Sequence, residues 1–297
     1  MTQLRAYKDT GVILFDTNLI SYGLVKSGYL QYSQSWTRRE LRSQNLDPSN
    51  GENYFPVVVT FDPTFTDGLW SFTVLNTQSP IAFITGSGTL NGTSISGNSI
   101  TFYYSNASAA TKFYCFDLMG DNIAGSPYLK TYDATGKLTF NSLQPALNVI
   151  GAVGAPGPGP LDNFGRYTTC YASGYNVRQP ELGPASPYRR PRVNSYCDIA
   201  LTPGTEYAVN LPFSRSCTIN DLFDFNGFSN SAQYGMQEGA YGRVGGMTFM
   251  FGASAGTAHS PLNVSGQSLP CSFINIPTDR YPQALVIATA TYPFPFN

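Results

Sequence analysis

Apolar and polar residues alternate with a period of two along much of the chain, in short runs that end at Gly, Pro, Asn or Asp. Residues 12–16, 57–61, 69–75, 81–85, 99–104 and 112–118 are β-branched or aromatic runs bounded in this way and predict strands. Asp67-Gly68, Asn91-Gly92 and Gly97-Asn98 tolerate positive φ and predict tight hairpin turns between them. The most compact hairpin is expected at 127–142. There Tyr128, Lys130 and Tyr132 alternate with Leu129, Thr131 and Asp133, Ala134-Thr135-Gly136 turns, and Leu138 and Phe140 share one face. Strands this short and evenly spaced predict a β-sandwich, with the hairpin completing it. Residues 19–32 keep no clean period. Residues 33–45, with Trp36, Arg38, Arg39 and Arg42, read as a short helix or an irregular, partner-facing arm.

The stretch GAVGAPGPGP at 151–160 interrupts the pattern, and its Gly and Pro content predicts an ordered linker. Its three-residue glycine spacing fails at Gly159, so a collagen-like stem is not expected. The linker divides the chain into an N-terminal β-sandwich over 1–150 and a second β-rich domain over 161–297. In the second part a polar, Pro-rich loop spans 173–192. Strands are expected at 194–201, 205–211, 216–219, 247–251, 272–276 and 284–292, with Pro203-Gly204 turning the first pair. Residues 222–228 are aromatic but too short to classify, and YGMQEGAYGRVGG at 234–246 is dense in glycine. The run YPFPFN at 292–297 predicts an extended polyproline-like tail, whose Phe294 and Phe296 call for docking on the domain body or a neighbouring subunit.

The hairpin at 127–142, the DTNLISYGLVKSGYL run at 16–30, and TKFYCFDLM at 111–119 preceded by SNASAA carry a resemblance. Together they resemble minor tail proteins of tailed bacteriophages, the group encoded beside the central tail-tip or fibre protein. The resemblance covers roughly the first half, and its motifs are structural rather than catalytic. It implies a virion component of the tail tip or baseplate, made in the host cytoplasm, that assembles with other tail proteins, with a homotrimer typical of that context.

Composition narrows the remaining classes. Aromatics make up 14% of 297 residues, with 20 Tyr and 20 Phe, while charged residues make up 12%, a balance that favours strands over helices. So few charges leave two readings open: a surface largely covered by protein partners, or one kept soluble by Ser, Thr, Asn and Gly. The net charge of −1 provides no basic field, so no nucleic-acid partner is expected. No apolar span approaches membrane length and no signal peptide is visible, so no membrane insertion is expected. The five cysteines, Cys115, Cys170, Cys197, Cys217 and Cys271, are odd in number and widely spaced. With His259 the single histidine, they predict buried reduced thiols rather than a zinc site.

Candidate chemistry is sparse. Gly252-Ala253-Ser254-Ala255-Gly256 matches G-x-S-x-G, but no acid lies between Ser254 and His259 and Pro261 blocks a following helix, so a small-residue loop is the better reading. The acids after the linker, among them Asp198, Glu206, Asp221, Asp224 and Glu238, show no telling spacing for a glycosidase pair. No cofactor and no enzymatic activity are expected. Tyr188, Arg189, Arg190, Tyr234 and Tyr241 are the candidate binding residues, suited to stacking on sugars or gripping a host surface receptor. The expected function is a structural tail-tip or baseplate component supporting host attachment. A receptor-binding adhesin is the alternative, and a capsid spike or head fibre the third.

Overall fold

The computed structural model describes residues 5–7, 9–11, 13–16, 19–37, 39–41, 54–55, 66–121, 123–179, 192–225, 228–255, 258–261 and 271–296. The chain is all-β, as its periodicity predicts, with a single 3₁₀ turn at Thr289–Thr291 among the described residues. In the first half the strands are β1 (Arg5–Tyr7), β2 (Ile13–Asp16), β3 (Tyr22–Tyr29), β4 (Gln31–Thr37), β5 (Arg39–Leu41) and β6 (Tyr54–Phe55). They continue with β7 (Thr66–Leu75), β8 (Ile81–Thr85), β9 (Thr89–Ser96), β10 (Ser99–Ser105), β11 (Lys112–Leu118), β12 (Lys130–Tyr132) and β13 (Leu138–Asn141). The strand expected at 57–61 lies outside the described residues.

Two sheets face each other in this half. One runs β4-β7-β10-β9, and the other side is β3-β11-β8. Val25, Leu30, Phe72, Val74, Ala82, Ile84, Phe102, Tyr104, Phe113 and Cys115 fill the space between them. Phe72 anchors it, stacked on Phe102 at 5.0 Å and on Phe113 of the opposing sheet at 3.8 Å. β11 reads KFYCFDL without alternation because both its faces are covered. Phe113 and Cys115 face the sandwich, and Tyr114 and Phe116 face the second half of the chain.

Several local expectations differ from what forms. Residues 33–45 carry no helix among the described positions; they contribute the end of β4 and all of β5. β4 pairs with β7 as an exposed edge, so its polar sequence needed no apolar period. Asp67-Gly68 is not a turn but lies inside β7, opposite Trp36 and Ser35, with Asp67 buried. Strand pairing there overrides local turn preference. Gly97 does turn the β9–β10 hairpin, at φ +58° between paired Ser96 and Ser99. The 127–142 hairpin forms, but β12 and β13 make a two-stranded sheet of their own instead of joining the sandwich.

The second half holds β14 (Gly151–Gly154), β15 (Tyr175–Gln179), β16 (Arg192–Ala200), β17 (Tyr207–Asn210) and β18 (Ser216–Phe225). It continues with β19 (Phe228–Arg243), β20 (Gly246–Ala253), β21 (Ala258–Pro261), β22 (Cys271–Ile274) and β23 (Gln283–Ala288). The stretch expected as a linker contains β14, paired along its length with β23. Pro203-Gly204 does turn, yet β16 and β17 do not pair with each other. β16 lies between β15 and β20, and β17 between β23 and β8.

The largest sheet runs β14-β23-β17-β8-β19-β20-β16-β15 and so passes through both halves. At the crossing, Thr85 Oγ1 donates to Tyr207 O at 2.7 Å, Gly86 N to Gly242 O at 2.9 Å, and Asn210 Nδ2 to Ala82 O at 2.8 Å. The C-terminal run closes the first half from behind. Tyr292, Phe294 and Phe296 pack with Leu24, Phe83, Tyr114 and Phe116, and Ser27 and Phe296 exchange backbone hydrogen bonds at 2.9 and 3.1 Å. Docking on the domain body is therefore how this tail is satisfied.

Candidate functional site

Directly paired residues of adjacent strands share a face, and alternate residues along a strand return to it. Tyr175 pairs with Tyr196, Asp198 with Thr248, and Thr248 with Tyr241, while Arg243 lies two residues beyond Tyr241. The register of β15, β16, β20 and β19 therefore gathers Tyr175, Tyr196, Asp198, Thr248, Tyr241 and Arg243 on one face. The centre of that face is covered by the first half. A Cβ on Gly239 would lie 2.7 Å from Thr89 Cγ2, and Ser87 Oγ lies 3.6 Å from the buried Met250 Sδ. Towards the rim the face opens: Tyr175 is 46% exposed, and the side chains of Asp198 and Arg243 are 44% and 40% exposed.

The rim is held in place from beneath. Tyr175 Oη donates to Asp198 Oδ2 at 3.0 Å, and Thr248 Oγ1 donates to Asp198 Oδ1. The rings of Tyr175 and Tyr196 stack at 5.6 Å and 30°. Gly246, opposite Arg243, leaves room for the guanidinium, since a Cβ there would sit 3.1 Å from Arg243 Cζ. Arg243 Nε stands 3.8 Å from Asp198 Oδ1, an ion pair too long to be a hydrogen bond. Burial and then the bond to Asp198 push the Tyr175 hydroxyl pKa up, and burial pushes that of Tyr241 up to about 12, so both remain protonated donors at neutral pH. The arrangement sets an aromatic ring beside a fixed carboxylate and a guanidinium.

The candidate residues read from the sequence are distributed differently. Tyr241 lies on this face, half-buried. Tyr234 sits on the opposite face of β19, inside the core, where its hydroxyl accepts the Val193 N–H at 3.1 Å. Tyr188, Arg189 and Arg190 lie outside the described residues. The chain leaves β15 at Gln179 and re-enters β16 at Arg192, at the end of that hairpin away from Tyr175. Tyr175, Tyr196 and Arg243 were not distinguished by sequence, and Asp198 was one acid among several. Only the strand register joins them.

Three of the other acids named above are committed to cations. Glu206 Oε2 pairs with Lys112 Nζ at 2.8 Å, Asp221 with Arg178 at 2.7 Å, and Glu238 with Arg215 at 2.7 Å. Ser254 follows β20 and is succeeded by strand β21, not by the helix a nucleophile elbow opens. Among the described residues no group of three or more His, Cys, Asp or Glu is placed to hold a metal. All five cysteines are free thiols, four of them buried. No protein-family model, no curated protein and no solved structure matches this chain.

Proposed function

We propose that this chain is a structural component of a bacteriophage tail tip or baseplate, assembling with neighbouring tail proteins, as a closed homotrimer, and supporting attachment to the host. The observation that carries the reading is the state of the segment bearing the resemblance. Among the described residues β12 and β13 form a hairpin with no strand partner beyond each other, on which Leu129 and Tyr132 are half exposed and Tyr128 is fully exposed. Its buried side is the polar one: Thr131 and Thr139 hydroxyls meet at 2.8 Å, and Asn141 Nδ2 donates to Gly120 O at 3.1 Å. An aromatic ridge of this kind, on a surface poor in charge, suits burial against another protein. Co-expression with the neighbouring tail proteins tests it. Co-purification as a defined oligomer is expected, with Tyr128→Ser plus Leu129→Ser abolishing assembly while leaving the melting temperature unchanged. A chain that stays monomeric and joins no tail component overturns the reading.

The adhesin reading is favoured by a separate observation, the half-exposed Tyr175–Asp198–Arg243 rim. The two readings are compatible, because the hairpin and the rim use different residues. Gold-labelled protein located in virion images separates both from a capsid spike or head fibre.

A further inference from the structure

We infer that the rim formed by Tyr175, Asp198 and Arg243, with Tyr241 and Tyr196 behind it, binds a neutral pyranose saccharide. The inference rests on the attachment reading for its setting, and it names the class of ligand recognised. A sugar ring has a face of C–H groups that packs on an aromatic ring, bordered by hydroxyls that each donate and accept. The rim supplies both halves of that match. The ring of Tyr175 has Tyr196 on one side and is 46% exposed, so a flat apolar surface is available to a ligand. Beside it lies the Asp198 carboxylate, whose two oxygens already accept from Tyr175 and Thr248. A carboxylate has about four acceptor positions, so two stay open to ligand hydroxyls.

Arg243 supplies the complementary donors. Among the described residues no hydrogen bond engages its guanidinium; Nε is buried 3.8 Å from Asp198, and the side chain, 40% exposed, leaves its terminal nitrogens to donate to ligand hydroxyls beside the carboxylate. The ring and the carboxylate are positioned by bonds within the sheet before any ligand arrives, which lowers the ordering cost of binding. Charge selects the ligand further. An anionic ligand meets Asp198 and a cationic one meets Arg243, so a neutral ligand avoids both repulsions. Nucleic acid is disfavoured as well, since the chain carries a net charge of −1.

The test is saturation-transfer difference NMR with calorimetric titration of the full chain, using maltotriose, lactose and triacetylchitotriose as neutral probes, trigalacturonate as an anion and deacetylated chitotriose as a cation. At least one neutral probe is expected to bind, with both charged probes weaker. Tyr175→Ala and Asp198→Asn are each expected to weaken that binding roughly tenfold, ~1.4 kcal/mol. Ile95→Ser, on exposed β9, is expected to leave it unchanged. Tyr175 is exposed enough that its replacement preserves the fold, and Tyr175→Phe, which keeps the ring, is expected to retain most of the affinity. No binding by any neutral probe, equal binding by the Tyr175→Ala variant, or a preference for a charged probe overturns the inference. Co-assembly with tail proteins is measured separately. Intact assembly without sugar binding overturns the saccharide site alone, and sugar binding without assembly overturns only the structural reading.

Discussion

Arg215 and Glu238 form the most deeply buried ion pair among the described residues. Arg215 Nε and Nη2 donate to the two carboxylate oxygens at 2.8 and 2.7 Å, Tyr171 Oη adds a third bond at 3.0 Å, and the guanidinium lies over the rings of Tyr171, Phe251 and Tyr281. Two buried charges are tolerable only while each satisfies the other. Glu238→Gln is therefore expected to cost ~3–5 kcal/mol by leaving a buried cation unpaired, read as a lowered urea midpoint. Replacing both residues with apolar ones of similar volume recovers much of that loss. Sequence could name Glu238 as an acid but not its role, because its partner is 23 residues away, just before β18. The same limit hid Asp198 and Tyr175, whose bond also spans 23 residues and exists only through the β15–β16 register.

Among the elements, β19 shows why glycines crowd 234–246. The second half of this 16-residue strand is approached closely on both faces, at Gly239 and at Gly242. Gly239 lies under Gly88 and Thr89, and a Cβ on Gly242 would come within 1.9 Å of Tyr207 O. Gly239 and Gly242 are thus the places where residues 88–89 and the backbone of β17 touch β19, a requirement a single sequence cannot reveal because the touching segments are remote. Gly242→Ala is expected to destabilise by about 3 kcal/mol or more, while Gly151→Ala, which meets nothing within 4 Å, stays within about 0.5 kcal/mol of wild type in the same unfolding measurement. Elements whose signal is local were legible. β8 and β11 form with the expected boundaries, and the 127–142 hairpin turns where Asp133 Oδ1 accepts the N–H groups of Thr135 and Lys137 at 2.8 and 2.9 Å. β14 was not legible, because GAVG, with Val153 its single large apolar residue, carries little apolar signal and forms through pairing with β23.

Across the whole molecule, the two halves are joined, among the described residues, by strand pairing at β8 and between β5 and β21, by the C-terminal run on β3, and by the ion pair of Lys112 with Glu206. Burial alone would raise the Glu206 carboxyl, but hydrogen bonds from Lys112 and Thr289 outweigh it and hold its pKa below the ordinary value. A lowered folded pKa contributes stability above the unfolded value, and that contribution is lost as pH falls through the folded one. Lys112→Met is accordingly expected to cost about 1 kcal/mol at neutral pH, a modest figure because the pair is partly exposed, with the difference from wild type closing as pH falls through and below the lowered Glu206 value. Paired urea titrations at neutral and at acid pH measure it.

The backing of β3 by Pro293–Phe296 has a consequence for biosynthesis. Ser27 and Pro293, bonded at 2.7 Å, are separated by 266 residues, so at ordinary elongation rates the apolar reverse of the first sheet waits on the order of tens of seconds for its cover to leave the ribosome. During that interval the nascent chain is a natural client for a chaperone, and slow translation of the second half prolongs its exposure to aggregation.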